Sequence, residues 1–361
     1  MNVNPCSTIE DRPARARCRR EAGRTLQDRW LQRLAFGPQP ERARLVQLWS
    51  GIFPVSWRQL GHPALLELQL ATIESKLNGS FGALLAAMVL DPALQISLNG
   101  PSNQRSRPNE NLARELLELF SVGEGHFREA DVREAARALS GYQLSREGRL
   151  VLNPGRHDPG LKTILGRTAA FDGPSLAAWL AAQPATARHI CGRVWRTLLG
   201  GLPPVSRLNA LAEDWRRRDL SLPWLMQALL DSPEARVAQG QRLQEPILVV
   251  TRSLALLGSR HPDALQIARS HLPRMGQPVL DPPSVKGWPV NEEWINLGWL
   301  QARRRGLAAL LADEEVWASA APPPRLSASL PSRAPLSVDL PAPADRTHLG
   351  LLFADPVWQL T

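Results

Sequence analysis

Apolar residues recur at helical spacing along almost the whole chain. The segments "HPALLELQLATIESKL" (62–77) and "SFGALLAAMVLDP" (80–92) repeat them every three to four positions, and the pair "NG" separates them as a turn. Ser80 is placed to cap the second segment by accepting a bond from its free amides. "PSLAAWLAAQ" (174–183) leads into "PATARHICGRVWRTLLGG" (184–201), where Pro184 suits a first turn and Gly200 and Gly201 suit an end. Further helices are expected over 204–218, 221–231, 245–258, 262–272 and 291–315. No alternating run suggests a strand, so the predicted class is mainly α: a single large multi-helix domain without a central sheet.

The clearest amphipathic element is "NENLARELLELFSVGEG" (109–125). Asn109 serves as its N-cap, and Glu110 suits the positive end of the helix. At 100° per residue, Glu110, Asn111, Arg114, Glu115 and Glu118 fall on one arc, and leucines, Ala113 and Phe120 fill the other side. A second helix, "EADVREAARALSGY" (129–142), opens with acids and closes at Gly141. The plain reading is a helical hairpin in which Glu110 and Arg114 form an i,i+4 pair contributing ~0.3–0.5 kcal/mol. The sharper reading makes the asparagine, Arg114 and two of the glutamates on this face the wall of a polar cleft. "GEGHF" between the helices lacks the ligand run of a calcium loop.

Four regions follow from the pattern. Residues 1–29 form a basic N-terminal arm, and 30–318 form the helical domain. Residues 319–347 are rich in Pro, Ser and Ala and are expected to be an extended linker that packs poorly. Residues 348–361, "LGLLFADPVWQLT" with its flank, form an apolar tail expected to dock on the body through Phe353 and Trp358.

Of the 361 residues 43% are hydrophobic, ample for a buried core, and the net charge is +9. The basic residues are forty arginines and only three lysines, spread along the chain and interleaved with acids. Such an excess reflects compositional bias more readily than a nucleic-acid groove. The local exception is "RPARARCRREAGR" (12–24), which could attract polyanions through phosphate contacts, so nucleic-acid binding stays a weaker alternative. Cys6, Cys18 and Cys191 are odd in number and in no CxxC pair, so neither a disulfide framework nor a zinc knuckle is expected, and a reducing compartment is the simpler reading. Cys191 reads as a small buried thiol. No signal peptide is visible, and the longest apolar stretch (82–90) is too short to span a bilayer, so a cytoplasmic location and no membrane span are expected.

The loop "RHDPGLKTILG" (156–166) holds one of the three lysines. His157 is a candidate for proton transfer, with Asp158 to orient it, and Lys162 is a candidate anion contact. Glu115 joins His157 and Asp158 as a catalytic candidate. Asn109, Arg114, Lys162, Lys286 and Trp288 are the ligand-binding candidates, Trp288 offering a flat apolar face such as a sugar ring takes. The bland reading is structural: "DPG" is a turn, and a buried lysine can staple two loops. No P-loop, GxGxxG, HExxH or GxSxG is present. The seven histidines are scattered, so no metal and no cofactor is expected.

Several of these stretches, in this order, resemble the bacterial family known as domain of unknown function 1800. They are "RLVQLWSGIFPVS" (44–56), the 109–142 pair, "RHDPGLKTILGR", "QPATARHICGRVW", "MGQPVLDPPSVKGWPVNEEWIN" and "ADPVWQL". The resemblance covers roughly residues 30–361 and implies an all-helical domain without an established activity. It also implies a possible partner, since genes of this family often neighbour those of a sulfatase- or phosphatase-like family. Relatives often look exported. The family's Asn and His in the first motif fall at Gly51 and Ile52 here, so any site using that histidine is impaired in this chain. The resulting expectation is a non-enzymatic partner or scaffold for a sulfatase- or phosphatase-like protein. The alternative is a hydrolase or binding protein for an anionic or sugar-like ligand using the His157–Asp158–Lys162 loop. The sequence leaves the oligomeric state open. A single cleft formed by that loop, the polar arc of 109–122, Lys286 and Trp288 would favour the ligand reading.

Overall fold

The computed structural model describes residues 6, 9–145, 148–327 and 333–361. The expectations for residues 1–5, 7 and 8 of the N-terminal arm and for 328–332 of the linker therefore lie outside the described residues. Among those described, the first part of the chain forms α1 (Arg12–Phe36), α2 (Pro40–Ile52), α3 (Trp57–Leu60), α4 (Pro63–Lys76), α5 (Phe81–Val89), α6 (Pro92–Ser97), α7 (Asn111–Glu118) and α8 (Glu129–Ala138). Two hairpins follow, β1 (Tyr142–Leu144) with β2 (Leu150–Leu152) and β3 (Lys162–Ile164) with β4 (Arg167–Ala169). The remainder is helical: α9 (Gly173–Ala181), α10 (Pro184–Leu199), α11 (Val205–Arg216), α12 (Leu222–Leu230), α13 (Pro233–Ala238), α14 (Pro246–Leu257), α15 (Pro262–His271), α16 (Leu297–Ala312), α17 (Glu314–Ala318) and α18 (Arg346–Ala354). The fold is mainly α, as the periodicity predicts.

Helix starts follow local chemistry. Ser80 accepts from the Ala83 amide, and the Asp91 carboxylate accepts from that of Leu94 at 2.8 Å. Proline occupies the first turn of ten of the larger and smaller helices alike, among them α4, α10, α14 and α15, where its missing N–H has no partner to lose. The helix expected over 109–125 is shorter. It ends at Glu118, and the Ser121 hydroxyl then donates to the Leu116 carbonyl.

The centre is an aromatic chain. Trp49 meets Phe81 at 6.0 Å, Phe81 meets Trp215 at 5.8 Å, and Phe53 meets Phe120 at 5.3 Å between ring centroids. These contacts join α2, α5, α11 and the end of α7 in one hydrophobic core. The C-terminal tail docks as expected: Phe353 and Trp358 are buried and stacked at 5.5 Å, and the Trp358 indole N–H donates to the Ser253 hydroxyl on α14 at 2.8 Å.

Four expectations need correction. The absence of strands does not hold, because the two antiparallel hairpins pair Tyr142 with Leu152 and Lys162 with Ala169. Their strands are three residues long, too short to display alternation. The absence of a disulfide does not hold either. Cys6 and Cys18 are bonded, with Cα atoms 5.9 Å apart. The basic arm is no separate unit at residue 29, since α1 runs through that point and buries Leu26, Trp30, Leu31 and Leu34. Finally, the poor packing expected of 319–347 does not hold for its described residues, since Leu326, Val338, Ala342 and Ala344 are buried, and the Leu326 amide donates to the Ala342 carbonyl at 2.8 Å. Those side chains pack, because they fill apolar surface between the proline turns.

Candidate functional site

The loop around Lys162 is built by α8. Asp131, Glu134 and Arg137 recur every three residues on one side of that helix, and each reaches the loop or the hairpin behind it. The Asp131 carboxylate accepts from the Leu165 amide at 2.7 Å, and that of Glu134 from the Thr163 amide at 3.2 Å. Arg137 makes a two-pronged contact with Asp158 at 2.7 and 3.2 Å, and it also pairs with Glu134 at 2.8 Å. The Arg137 guanidinium beside Asp158 holds that carboxyl below the usual carboxylate range.

Lys162 is 1% exposed. Its ammonium donates to two backbone carbonyls, that of Asp158 in the same loop at 2.5 Å and that of Phe171 beyond β4 at 2.8 Å. Burial lowers its pKa, and the nearby Asp158 carboxylate opposes that shift. His157 Nδ1 lies 2.9 Å from the Ser140 carbonyl, which can only accept, so Nδ1 carries the proton of that bond. The Asp158 amide donates to the Ser140 hydroxyl at 2.9 Å, and the Gly160 amide to the Asp158 carboxylate at 2.9 Å. Gly141 is required where these strands of chain meet. Its φ is +85°, and a Cβ there would lie 2.6 Å from the His157 nitrogen.

The remaining candidates gather elsewhere, around the solvent side of α7. The Asn109 side chain accepts from the Asn111 amide at 3.0 Å, and its own amide donates to Asn103. Arg114 reaches across to the start of α8 and grips Glu129 at 2.7 and 2.8 Å, with Glu110 at 3.4 Å as the expected i,i+4 pair. Glu115 is half-buried. Burial first, and Glu118 second, raise its carboxyl pKa, while Lys286 and Arg114 act against that rise. Lys286 belongs to the loop that carries Trp288, and this loop lies against the end of α2. Gly287 adopts φ +91°, and a Cβ there would meet the Gly51 carbonyl at 2.4 Å. A Cβ on Gly51 would sit 3.8 Å from the Trp288 ring. Ile52, in the position of the family's histidine, is a buried core residue at 3% exposure.

The residue that ties this second group together was not singled out from the sequence. Arg193 on α10 donates to the carbonyls of Leu119 at 2.8 Å, Lys286 at 3.3 Å and Ile52 at 3.4 Å. Burial pulls its pKa down to about 10. His189, one turn earlier, meets the same Leu119 carbonyl through Nε2 at 3.2 Å, and burial followed by the Arg193 charge pushes its imidazole down to about 4. In "ARHICGRVW" only helical spacing is visible, and nothing there signals a target three elements away.

Among the described residues no hydrogen bond or ion pair joins the His157–Asp158–Lys162 loop to Asn109, Arg114, Glu115, Lys286 or Trp288. The charges acting on Lys162 are Asp158, Arg137, Asp172 and Glu134, and none comes from α7. Those acting on Glu115 are Glu118, Lys286 and Arg114. Cys191 is buried, which pushes its thiol well up and leaves it un-ionised. Among the described residues, no three His, Cys, Asp or Glu side chains are grouped to hold a metal ion, and no helix is long and apolar enough to cross a membrane.

A helical body closed by a docked tail, with its polar loops braced by α8 and α10, defines a mainly α protein of one domain. The chain belongs to the family described as protein of unknown function (DUF1800), whose model matches residues 5–358. No curated protein and no solved structure matches it significantly.

Proposed function

We propose that the protein is a non-enzymatic helical partner or scaffold. The observation that carries this reading is the commitment of the His157–Asp158–Lys162 loop to its own architecture. Lys162 donates to the carbonyls of Asp158 and Phe171, Asp158 pairs with Arg137, and the Nδ1 proton of His157 is held by the Ser140 carbonyl. An anion contact needs a free ammonium, and an orienting carboxylate must reach the imidazole, whereas Asp158 is held by Arg137. The partner that the family resemblance suggests is a sulfatase- or phosphatase-like protein encoded nearby. The Cys6–Cys18 disulfide favours an oxidising compartment over the cytoplasmic expectation.

Co-expression with that neighbouring protein, followed by size-exclusion chromatography, tests the reading. Co-elution as a complex is expected. Separate elution, together with turnover of phosphate or sulfate monoesters that His157→Ala abolishes at unchanged melting temperature, would overturn it.

A second reading, a ligand-binding protein, is favoured by the half-buried Glu115, on which the charge of Lys286 acts, and by Trp288 two residues along the same loop as Lys286. A carboxyl with a raised pKa next to an ammonium and a flat apolar face suits a polar ring such as a sugar. Saturation of Trp fluorescence by a sugar ligand, lost in Trp288→Ala, would support it.

A further inference from the structure

The core-facing stripe of α1 runs through Gly23, Gln27, Trp30 and Leu34. Continued towards the N-terminus, the same face bears Arg12, Arg15, Arg19 and Arg20, with Arg24 at its edge. Arg15 and Arg19 are half-buried, whereas Arg12, Arg20 and Arg24 keep contact with solvent. All five line a groove of about 800 Å³, whose other walls include Trp57, Pro63, Pro273 and Pro278. Arg58 and Arg269 add two further guanidinium groups to its lining.

Little negative charge answers them. Arg58 pairs with Asp281 at 3.2 Å and Arg269 with Asp28 at 2.6 Å. Arg15 donates to the carbonyls of Ile9 and Glu10, at 2.7 and 3.2 Å, and not to a carboxylate. Among the described residues Arg12, Arg19, Arg20 and Arg24 form no ion pair, and Arg19 Nε is buried without a hydrogen-bond partner. The Arg19 charge is felt beyond the groove wall, where it adds to burial in lowering the His62 pKa. Like charges lining one groove repel one another unless an anion joins them.

We propose that this groove binds a small oligoanion, a molecule carrying two or more phosphate or sulfate groups. Guanidinium forks match the oxygens of such groups in pairs. The α1 arginines extend over ~18 Å at roughly one per 5.4 Å turn, a row that several anionic groups can follow and a single one cannot. The volume of the groove is that of a small-molecule site, and the indole and proline rings give it apolar walls for the skeleton between the charges. The Cys6–Cys18 disulfide anchors the preceding segment to the second turn of α1 and holds the arginine row in place before a ligand arrives.

Isothermal titration of the oxidised full chain tests the assignment, with tripolyphosphate and sucrose octasulfate as probes and inorganic phosphate as the single-group control. At least one probe should bind about tenfold or more tightly than inorganic phosphate, and which one does so separates phosphate from sulfate recognition. The double variant Arg19→Ala, Arg20→Ala should weaken that binding about tenfold or more, with an unchanged or higher melting temperature because repulsion is relieved. Unchanged affinity in the variant would overturn the proposal, and so would a lower melting temperature with binding intact. A single-stranded oligonucleotide that binds more tightly than both probes would overturn it in favour of a nucleic-acid surface.

Discussion

Lys162 places a charge in the protein interior with carbonyl oxygens as its direct partners. Its ammonium is the narrow tip of a flexible chain and fits between two carbonyls, whereas a planar guanidinium with five donors would leave several unmet. In a chain that otherwise uses arginine, this geometry accounts for a lysine here. Lys162→Ala and Lys162→Arg should both lower the melting temperature, by ~1–3 kcal/mol or more in stability, since each leaves buried polar groups unpaired. Unchanged melting in both variants would remove the stapling role. The turn "DPG" and the unusual lysine were legible in the sequence. Their partners were not, because Arg137 is set 21 residues earlier and Phe171 on the far side of a hairpin. Two other buried groups make stability depend on pH in opposite senses. Burial raises the Asp91 carboxyl from 3.8 to about 7, against the amides of Leu94 and Ala93. The folded state then holds this proton more tightly than the unfolded state. Its stabilisation is complete below pH 3.8 and is lost as pH rises through about 7. His189 is lowered from 6.5 to about 4, so its contribution is complete above 6.5 and is lost as pH falls through about 4. Asp91→Asn keeps a helix cap and removes the first effect. Thermal melts should show it more stable than the parent at pH 8, and parallel profiles from pH 4 to 8 would refute the burial effect.

At the scale of elements, the sequence was most informative where apolar residues alone set the period. The spans expected at 62–77, 184–201 and 245–258 match α4, α10 and α14 to within a residue or two. α1 was misread because the row that faces inward changes from apolar to arginine halfway along, so the eye sees a charged arm followed by a domain. The Cys6–Cys18 bond was illegible for a related reason, since the eleven residues between the two cysteines carry no motif that would reveal their meeting. Its loop is short, and the core contacts of α1 begin only at Gly23, so reducing it should act locally. In hydrogen exchange, amides of residues 12–22 are expected to exchange faster in Cys18→Ser, while those of 26–35 keep their protection. Equal loss along the whole helix would mean that the bond supports the global fold. The α8 row of Asp131, Glu134 and Arg137 lay in plain view as helix-surface charge, and only the hairpin packed against it gives that charge a structural task.

Across the whole molecule, stability rests on distant segments meeting. The Trp358 ring is fully buried, stacks on Phe353 and lies under the Arg252 guanidinium, whose carbon is 4.0 Å from the ring centroid. Trp358→Ala should therefore cost ~3–5 kcal/mol, read as a lower urea midpoint, and a midpoint within error of the parent would show that the tail contributes nothing to the body. The same contact sets an order in time. Trp358 reaches Ser253 over 105 residues of sequence. At roughly 5–20 residues per second of synthesis, α14 emerges about 5–20 s before the ring that covers it. For that interval the nascent chain presents a bare apolar seat to whatever else is near the ribosome, and the last stroke of folding falls to a segment that the finished protein appears merely to wear.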